Sequence, residues 1–372
     1  MLYKENYANM SKILGMAIIL PAFSFGFTIP FAHQNQVNQL IPITSILEKE
    51  IVDSYNLLQF PTVLREEYAL EGLILEQKLD SENYPNAERL EDILVPYPDS
   101  FTPELIQAEI PEAEELATFR QLIDKASTKN WHELPMGELM QVIAEQFVGA
   151  TYQAGLLDKS ARETLVVNLK QFDCVLFVET VLAIARGVAA QDYSYPTLVN
   201  HIQDQRYLDG EMNGYCSRLH YFSAWIDDNQ KRGNVKNIAV DLGGVYLNKK
   251  LNFMSKHRQS YRQLASNDAN YQCILEMEAN LEGLTVDYIP KSRIRSVYSS
   301  LQPGDIVGIA TNISGLDVTH TGLVYRHRDG NLGLIHASPI GEVTIARDLQ
   351  SYVGNVKNAT GILVARPTNP NS

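Results

Sequence analysis

The chain holds only three cysteines in 372 residues, Cys174, Cys216 and Cys273. Three are too few for a disulfide framework, and if two pair the third stays free. Cys216 with Cys273 is the pairing that spares Cys174; the sequence leaves open whether it forms. No C-x-x-C or H-E-x-x-H motif occurs, so a sequence-local zinc site finds no support, and no metal or other cofactor is expected. Positive charge is also lacking. The formal net charge is -13, which argues against nucleic acid as a main partner.

A clean spanning segment is missing from the N-terminus as well. Residues 1–32 place Lys4 and Lys12 ahead of an apolar run that Pro21 and Pro30 interrupt, a pattern fitting a secretory signal better than a membrane helix. The expectation is export to the periplasm or cell envelope, with no spanning domain once the leader is removed. No internal repeat is visible.

The acidity is local. Between Glu48 and Glu115 stand 18 acidic residues against 4 basic ones, and the remainder of the chain has 26 against 27. Residues 33–115 therefore read as an acidic, helical N-terminal extension, with a capping box at Ser45-x-x-Glu48 and a helix start at Thr102-Pro103-Glu104. A compact domain is expected over 116–372. Its first part carries helical patterns, near Phe119 to Ala126, Met136 to Val148 and Ser217 to Asn229. After Leu301 the character changes to strands, at 304–311, 318–326, 332–338 and 361–366. Helices first and strands later predict an α+β fold with an antiparallel sheet.

The stretch from Asn168 to Ala190 stands out. From Cys174 onward its apolar residues cover every side of a helix, so the helix is expected inside the domain. Asp173 is a good N-cap, which puts Cys174 in the first turn, where free amides and the helix dipole favour a thiolate. A free cysteine is also among the most often buried residues, and Cys174 could simply pack. The choice needs a base elsewhere in the chain.

Two histidines supply one. His320 and His336 fall on adjacent predicted strands joined through Asp329-Gly330, a hairpin signal. A two-residue loop would set them on opposite sides of the sheet. A three-residue loop, Arg328 to Gly330 with Gly330 left-handed, sets them on the same side, His320 opposite Ser338 and diagonal to His336 at about 7–8 Å between backbones. A cysteine nucleophile needs a base, and the base needs a third group to fix its tautomer. Cys174, His320 and His336 meet these needs in order. The helix amide at Cys174 and the Tyr152 hydroxyl are placed to face a developing oxyanion.

The order of these residues resembles a known family. Helix-borne Asp-Cys, Gly304-Asp305 at a strand start, His320-Thr321-Gly322 and Ile335-His336-Ala337-Ser338 are similar to the NlpC-type papain-like cell-wall hydrolases. More closely, FDCVLFVETVLAIA, RYLDG, SRLHYFSAWIDDN, FMSKH, GLDVTHTGL and LVARP resemble the bacterial family described as N-acetylmuramoyl-L-alanine amidase-like. The resemblance covers residues 116–368 and stops short of 33–115. One departure is Gly149-Ala150-Thr151-Tyr152, where the family pattern has Gly-Thr-Pro-Tyr; the tyrosine is kept.

This resemblance implies a papain-like fold in which the cysteine helix packs on the antiparallel sheet that holds both histidines. It implies Cys174 as nucleophile, His320 as base and His336 as orienting residue. The implied reaction cleaves the amide between N-acetylmuramic acid and L-alanine in a muropeptide or peptidoglycan substrate, without a metal. Arg206, Tyr207, Ser217, Arg218, His220, Tyr221 and Asp317 sit in the matching blocks and are candidates for the substrate groove or, equally, for packing and capping. Ser255 and His257 are weaker candidates. Three other readings stay open: an NlpC-type endopeptidase cutting within the stem peptide, a non-catalytic muropeptide-binding protein of the envelope, and a thiol acyltransferase on the same fold that uses an acyl acceptor other than water.

Overall fold

A computed structural model describes residues 113–247 and 249–371. The leader, the capping box at Ser45 and the helix start at Thr102 lie outside the described residues. Within them the chain begins with helices α1 (Ala113–Thr128) and α2 (Met136–Ala144), followed by the short parallel pair β1 (Thr151–Tyr152) and β2 (Gln171–Phe172). Then come α3 (Cys174–Ala189), α4 (Tyr195–Arg206) and α5 (Phe222–Lys231). Strands β3 (Val235–Asn237) and β4 (Val245–Tyr246) precede α6 (Asp268–Asn280). The last part supplies β5 (Asp287–Pro290), β6 (Ile306–Thr311), β7 (Val318–Arg326), β8 (Leu332–Ala337) and β9 (Val343–Ala346). Helix α7 (Leu349–Asn355) and strand β10 (Ala359–Pro367) close it.

The other eight strands form one antiparallel sheet in the order β4-β5-β10-β6-β7-β8-β9, with β3 pairing β10. Helices first and strands after is the expected α+β order. Every residue of β6 and β8 is buried, because both faces of the sheet are covered. On one face Leu323, Ile335 and Leu363 pack into the core that holds α3; on the other, Val324, Leu334 and Val364 meet Leu349 and Val353 of α7.

Helix α3 begins where its cap dictates. The Asp173 carboxylate accepts from the amides of Val175 at 3.0 Å and Leu176 at 2.8 Å, which fixes Cys174 as the first helical residue. From Leu176 to Ala185 every residue is buried. Two of these, Glu179 and Thr180, are polar, and the carboxylate of Glu179 is held by Arg206 Nε at 2.7 Å.

The helix expected from Ser217 starts only at Phe222. Upstream of it Arg218 bridges to Tyr207, and the Leu219 amide donates to the Arg206 carbonyl at 2.9 Å, so the chain is extended there instead. Cys216 and Cys273 form a disulfide with 6.1 Å between their Cα atoms, tying the turn before this stretch to α6 and leaving Cys174 free. Glycine is required at Gly304 (φ 76°): a Cβ there would lie 2.4 Å from the Gly137 carbonyl oxygen. The neighbouring Asp305 is spent on Arg366, with both oxygens at 2.8 Å from the guanidinium. The Gly-Asp pair at this strand start is therefore a structural joint.

Candidate active site

The histidines are set by the β7–β8 hairpin. His327 N–H donates to Asn331 O at 2.9 Å, and Gly330 has φ 83°, so the loop is Arg328 to Gly330 with a left-handed glycine. The register follows: Leu323 pairs with Ile335 and Arg326 with Leu332. The hydrogen-bonded ladder is not continued beyond Leu323 and Ile335. Continued along that register, Gly322 falls opposite His336, and a Cβ on Gly322 would lie 2.9 Å from the His336 Cβ. The glycine thus makes room for the ring. His320 Nε2 lies 2.8 Å from His336 Nδ1, the rings at right angles with centroids 4.8 Å apart. The pair stands on the face that carries Val324 and Leu334, whereas α3 covers the face of Leu323 and Ile335.

Cys174 comes to this place through Thr321, the residue after His320. The Thr321 hydroxyl donates to the Cys174 carbonyl at 2.8 Å, and the polar groups of Thr321 favour the ionised form of the sulfur. The Cys174 amide lies against its own sulfur, while the next two amides are consumed by Asp173. Two tyrosines share this neighbourhood, each near enough that ionisation of Cys174 would raise its phenol: Tyr152 at the end of β1, and Tyr352 of α7. Tyr352 Oη lies 3.4 Å from His336 Nδ1.

The resting charges differ from the expectation of a thiolate. Burial, followed by the adjacent Asp173 carboxylate, pushes the Cys174 thiol up to about 11, against the pull of the Thr321 hydrogen bonds. Burial and the neighbouring His336 push His320 down to about 3; burial pushes His336 down to about 4. Loss of hydration outweighs the helix dipole here. With these shifts the site rests as a thiol and two neutral imidazoles. Alkylation of Cys174 by iodoacetamide should accordingly rise about tenfold per pH unit from pH 7 to 10. A preformed thiolate–imidazolium pair would instead give a rate already level near pH 7.

Most of the expected groove residues lie inside the protein. Arg206 is fully buried between Glu179 and the Val166 carbonyl, the latter at 2.6 Å from Nη1. Tyr207 donates to Glu163 at 2.8 Å. Arg218 holds Asp158 at 2.7 Å and the Leu157 carbonyl at 3.1 Å, with Glu163 at 3.6 Å. Tyr221 donates to Glu278 at 2.7 Å, and Asp317 accepts from the amide and hydroxyl of Ser223, both at 2.7 Å. Arg206 braces α3 through Glu179, and the others tie neighbouring loops and helices to one another. Ser217 and His220 are half-buried, hydrogen-bonded to Gly214 O and Tyr215 O, both at 2.8 Å. The Ser255 amide donates to Glu278, and His257 stacks on Phe253. Sequence reasoning missed Thr321, although it lies inside the His-Thr-Gly motif, and Tyr352, which no motif marked. Among the described residues no group of His, Cys, Asp and Glu side chains is arranged to hold a metal ion, and no helix is long and apolar enough to cross a membrane.

Fold and site together define an α+β protein with a cysteine at a helix start beside a hydrogen-bonded histidine pair. The sequence pattern of the AmiA-like family, N-acetylmuramoyl-L-alanine amidase-like, matches residues 142–362, and the chain belongs to that family. An N-acetylmuramoyl-L-alanine amidase from Bacteroides uniformis is 31% identical, with a TM-score of 0.59 over 63% of this chain and 99% of that one. A protein from Bacteroides fragilis described as a putative xylanase is 32% identical, with a TM-score of 0.55 over 60% of this chain and 98% of that one. A Legionella pneumophila protein, 23% identical with a TM-score of 0.52 over 69% of this chain and 97% of that one, shares the fold. No curated protein matches the chain.

Proposed function

We propose that the chain is an exported papain-like, NlpC-type cysteine amidase that cleaves the bond between N-acetylmuramic acid and L-alanine in peptidoglycan or its fragments. The observation that carries this reading is the 2.8 Å contact between His320 Nε2 and His336 Nδ1 beside the thiol at the start of α3. Domain organisation belongs to the same proposal: a leader over 1–32, the acidic extension over 33–115 and the catalytic domain over 116–372.

In this scheme the Cys174 sulfur attacks the lactyl carbonyl while His320 takes the thiol proton on Nδ1, the ring nitrogen not engaged with His336. The oxyanion forms next to the sulfur, where the Cys174 N–H and the Tyr152 hydroxyl donate to it. Burial pushes the Tyr152 phenol up to about 12, with the nearby Cys174 and Asp173 acting the same way, so it stays a donor. His320 then gives its proton to the departing alanine nitrogen, the C–N bond breaks, and a thioester remains on Cys174. Water, deprotonated by His320, attacks the thioester carbonyl; the C–S bond breaks, His320 returns the proton to the Cys174 sulfur, and the lactyl acid leaves and ionises to its carboxylate. Arg206, Tyr207, Arg218, Tyr221 and Asp317 are engaged inside the protein, and the half-buried Ser217 and His220 stay candidates for substrate contact.

Mass spectrometry of the products from a defined muropeptide tests the reading. Expected products are the sugar with a free lactyl carboxylate and the intact stem peptide with a free alanine amine. A cut inside the stem would make the chain an endopeptidase; tight binding with no product would make it a binding protein.

A further inference from the structure

Two imidazoles that share one hydrogen bond have two arrangements. In one, His320 carries its proton on Nε2 and donates to a lone pair on His336 Nδ1, which leaves His320 Nδ1 free to act as a base. In the other, His336 donates from Nδ1, and the neutral His320 must carry its proton on Nδ1, where it is useless as a base. A carboxylate or amide in place of His336 would select the first arrangement; a second imidazole does not select by itself.

Tyr352 lies where such a choice can be imposed. Its hydroxyl is 3.4 Å from His336 Nδ1, and its ring centroid is 4.6 Å from that of His336 and 6.2 Å from that of His320. Helix α7 holds it firmly. Leu349 and Val353 are fully buried, the Asp348 carboxylate caps the Ser351 amide at 2.8 Å, and Arg295 Nη2 grips both Asp348 oxygens at 2.8 and 2.9 Å. The Tyr298 hydroxyl accepts from the Gln350 amide at 2.8 Å. A phenol donates more strongly than it accepts, because its oxygen lone pair is shared with the ring.

We propose that Tyr352 is a positioning residue: its hydroxyl is the weaker arm of a three-centre bond in which His320 Nε2–H and the phenol both donate to the one lone pair of His336 Nδ1, and because the phenol loses this acceptor when Nδ1 is protonated, it holds His320 in the tautomer able to take the thiol proton. The assignment rests on the amidase reading for its catalytic consequence but not for its structural content. Burial, with the nearby Cys174 in second place, pushes the phenol up to about 12, and it remains protonated at any working pH.

The test uses the full chain labelled with ¹⁵N-histidine, comparing wild type with Tyr352→Phe by long-range ¹H–¹⁵N correlation spectra at pH 7. The wild-type His336 should be protonated on Nε2 alone, and the Phe variant should show Nδ1 protonation as well. On a muropeptide kcat should fall roughly three- to tenfold with KM unchanged, the range for one neutral hydrogen bond. Tyr352→Leu serves as the second variant should the Phe variant not fold. A wild-type His336 carrying its proton on Nδ1, or an unchanged tautomer in the variant, overturns the proposal whatever turnover does. The spectra need no substrate. A wild type without amidase activity would therefore sink the functional reading and leave this one decided on its own evidence.

Discussion

Cys174→Ala should lower kcat on a muropeptide by on the order of 10⁵–10⁶-fold, the range for losing a nucleophile that acts as a unit with its base. Binding and thermal stability should be nearly unchanged. The reason lies in the local structure: the Asp173 cap and the buried run from Leu176 to Ala185 hold α3 whether or not the thiol is present. Thr321 does not replace the thiol, because its hydroxyl is turned to the Cys174 carbonyl. Turnover by chromatography and a melting curve on the same preparation check both halves. A variant that kept more than a hundredth of wild-type turnover would remove Cys174 from the mechanism.

The second large effect is on stability. Arg206→Ala leaves the fully buried Glu179 without its partner and takes a donor from the Val166 carbonyl. Breaking one side of a buried ion pair costs about 3–5 kcal/mol. Urea unfolding of the variant should show this loss. The double variant Glu179→Leu with Arg206→Met should regain most of it, since no buried charge is left behind. If the single variant were as stable as wild type, Arg206 would not be a brace of α3, and its place in the substrate groove would return to consideration.

Much of the site was legible because local rules fixed it. Asp173 followed by an apolar run on every helix face announces a buried helix with Cys174 at its head. Gly330 in a three-residue loop sets the register that puts His320 and His336 on one face. The strand 318–326 was legible residue for residue from its alternation. Other parts depend on contacts distant in sequence. Tyr352 belongs to a short helix with no motif, and only the packing of α7 against β8 brings it to His336. Arg206, Tyr207, Tyr221 and Asp317 are polar residues in matching blocks, which says they matter but not that Glu179, Glu163, Glu278 and Ser223 consume them. The helix read from Ser217 failed for the same reason: its apolar spacing was right, but Arg218 is drawn to Asp158 and Glu163. The helix dipole favours a thiolate at Cys174 and burial opposes it, and the sequence shows the first of these but not the second.

Intact-protein mass spectrometry of an acid-quenched reaction with a defined muropeptide tests the central claim most directly, since the covalent intermediate reports the nucleophile and the bond together. The mechanism predicts an added mass equal to the muramoyl acyl group, located on the peptide containing Cys174. An adduct carrying stem-peptide residues, or steady turnover with Cys174 unmodified under conditions where deacylation limits the rate, would contradict it.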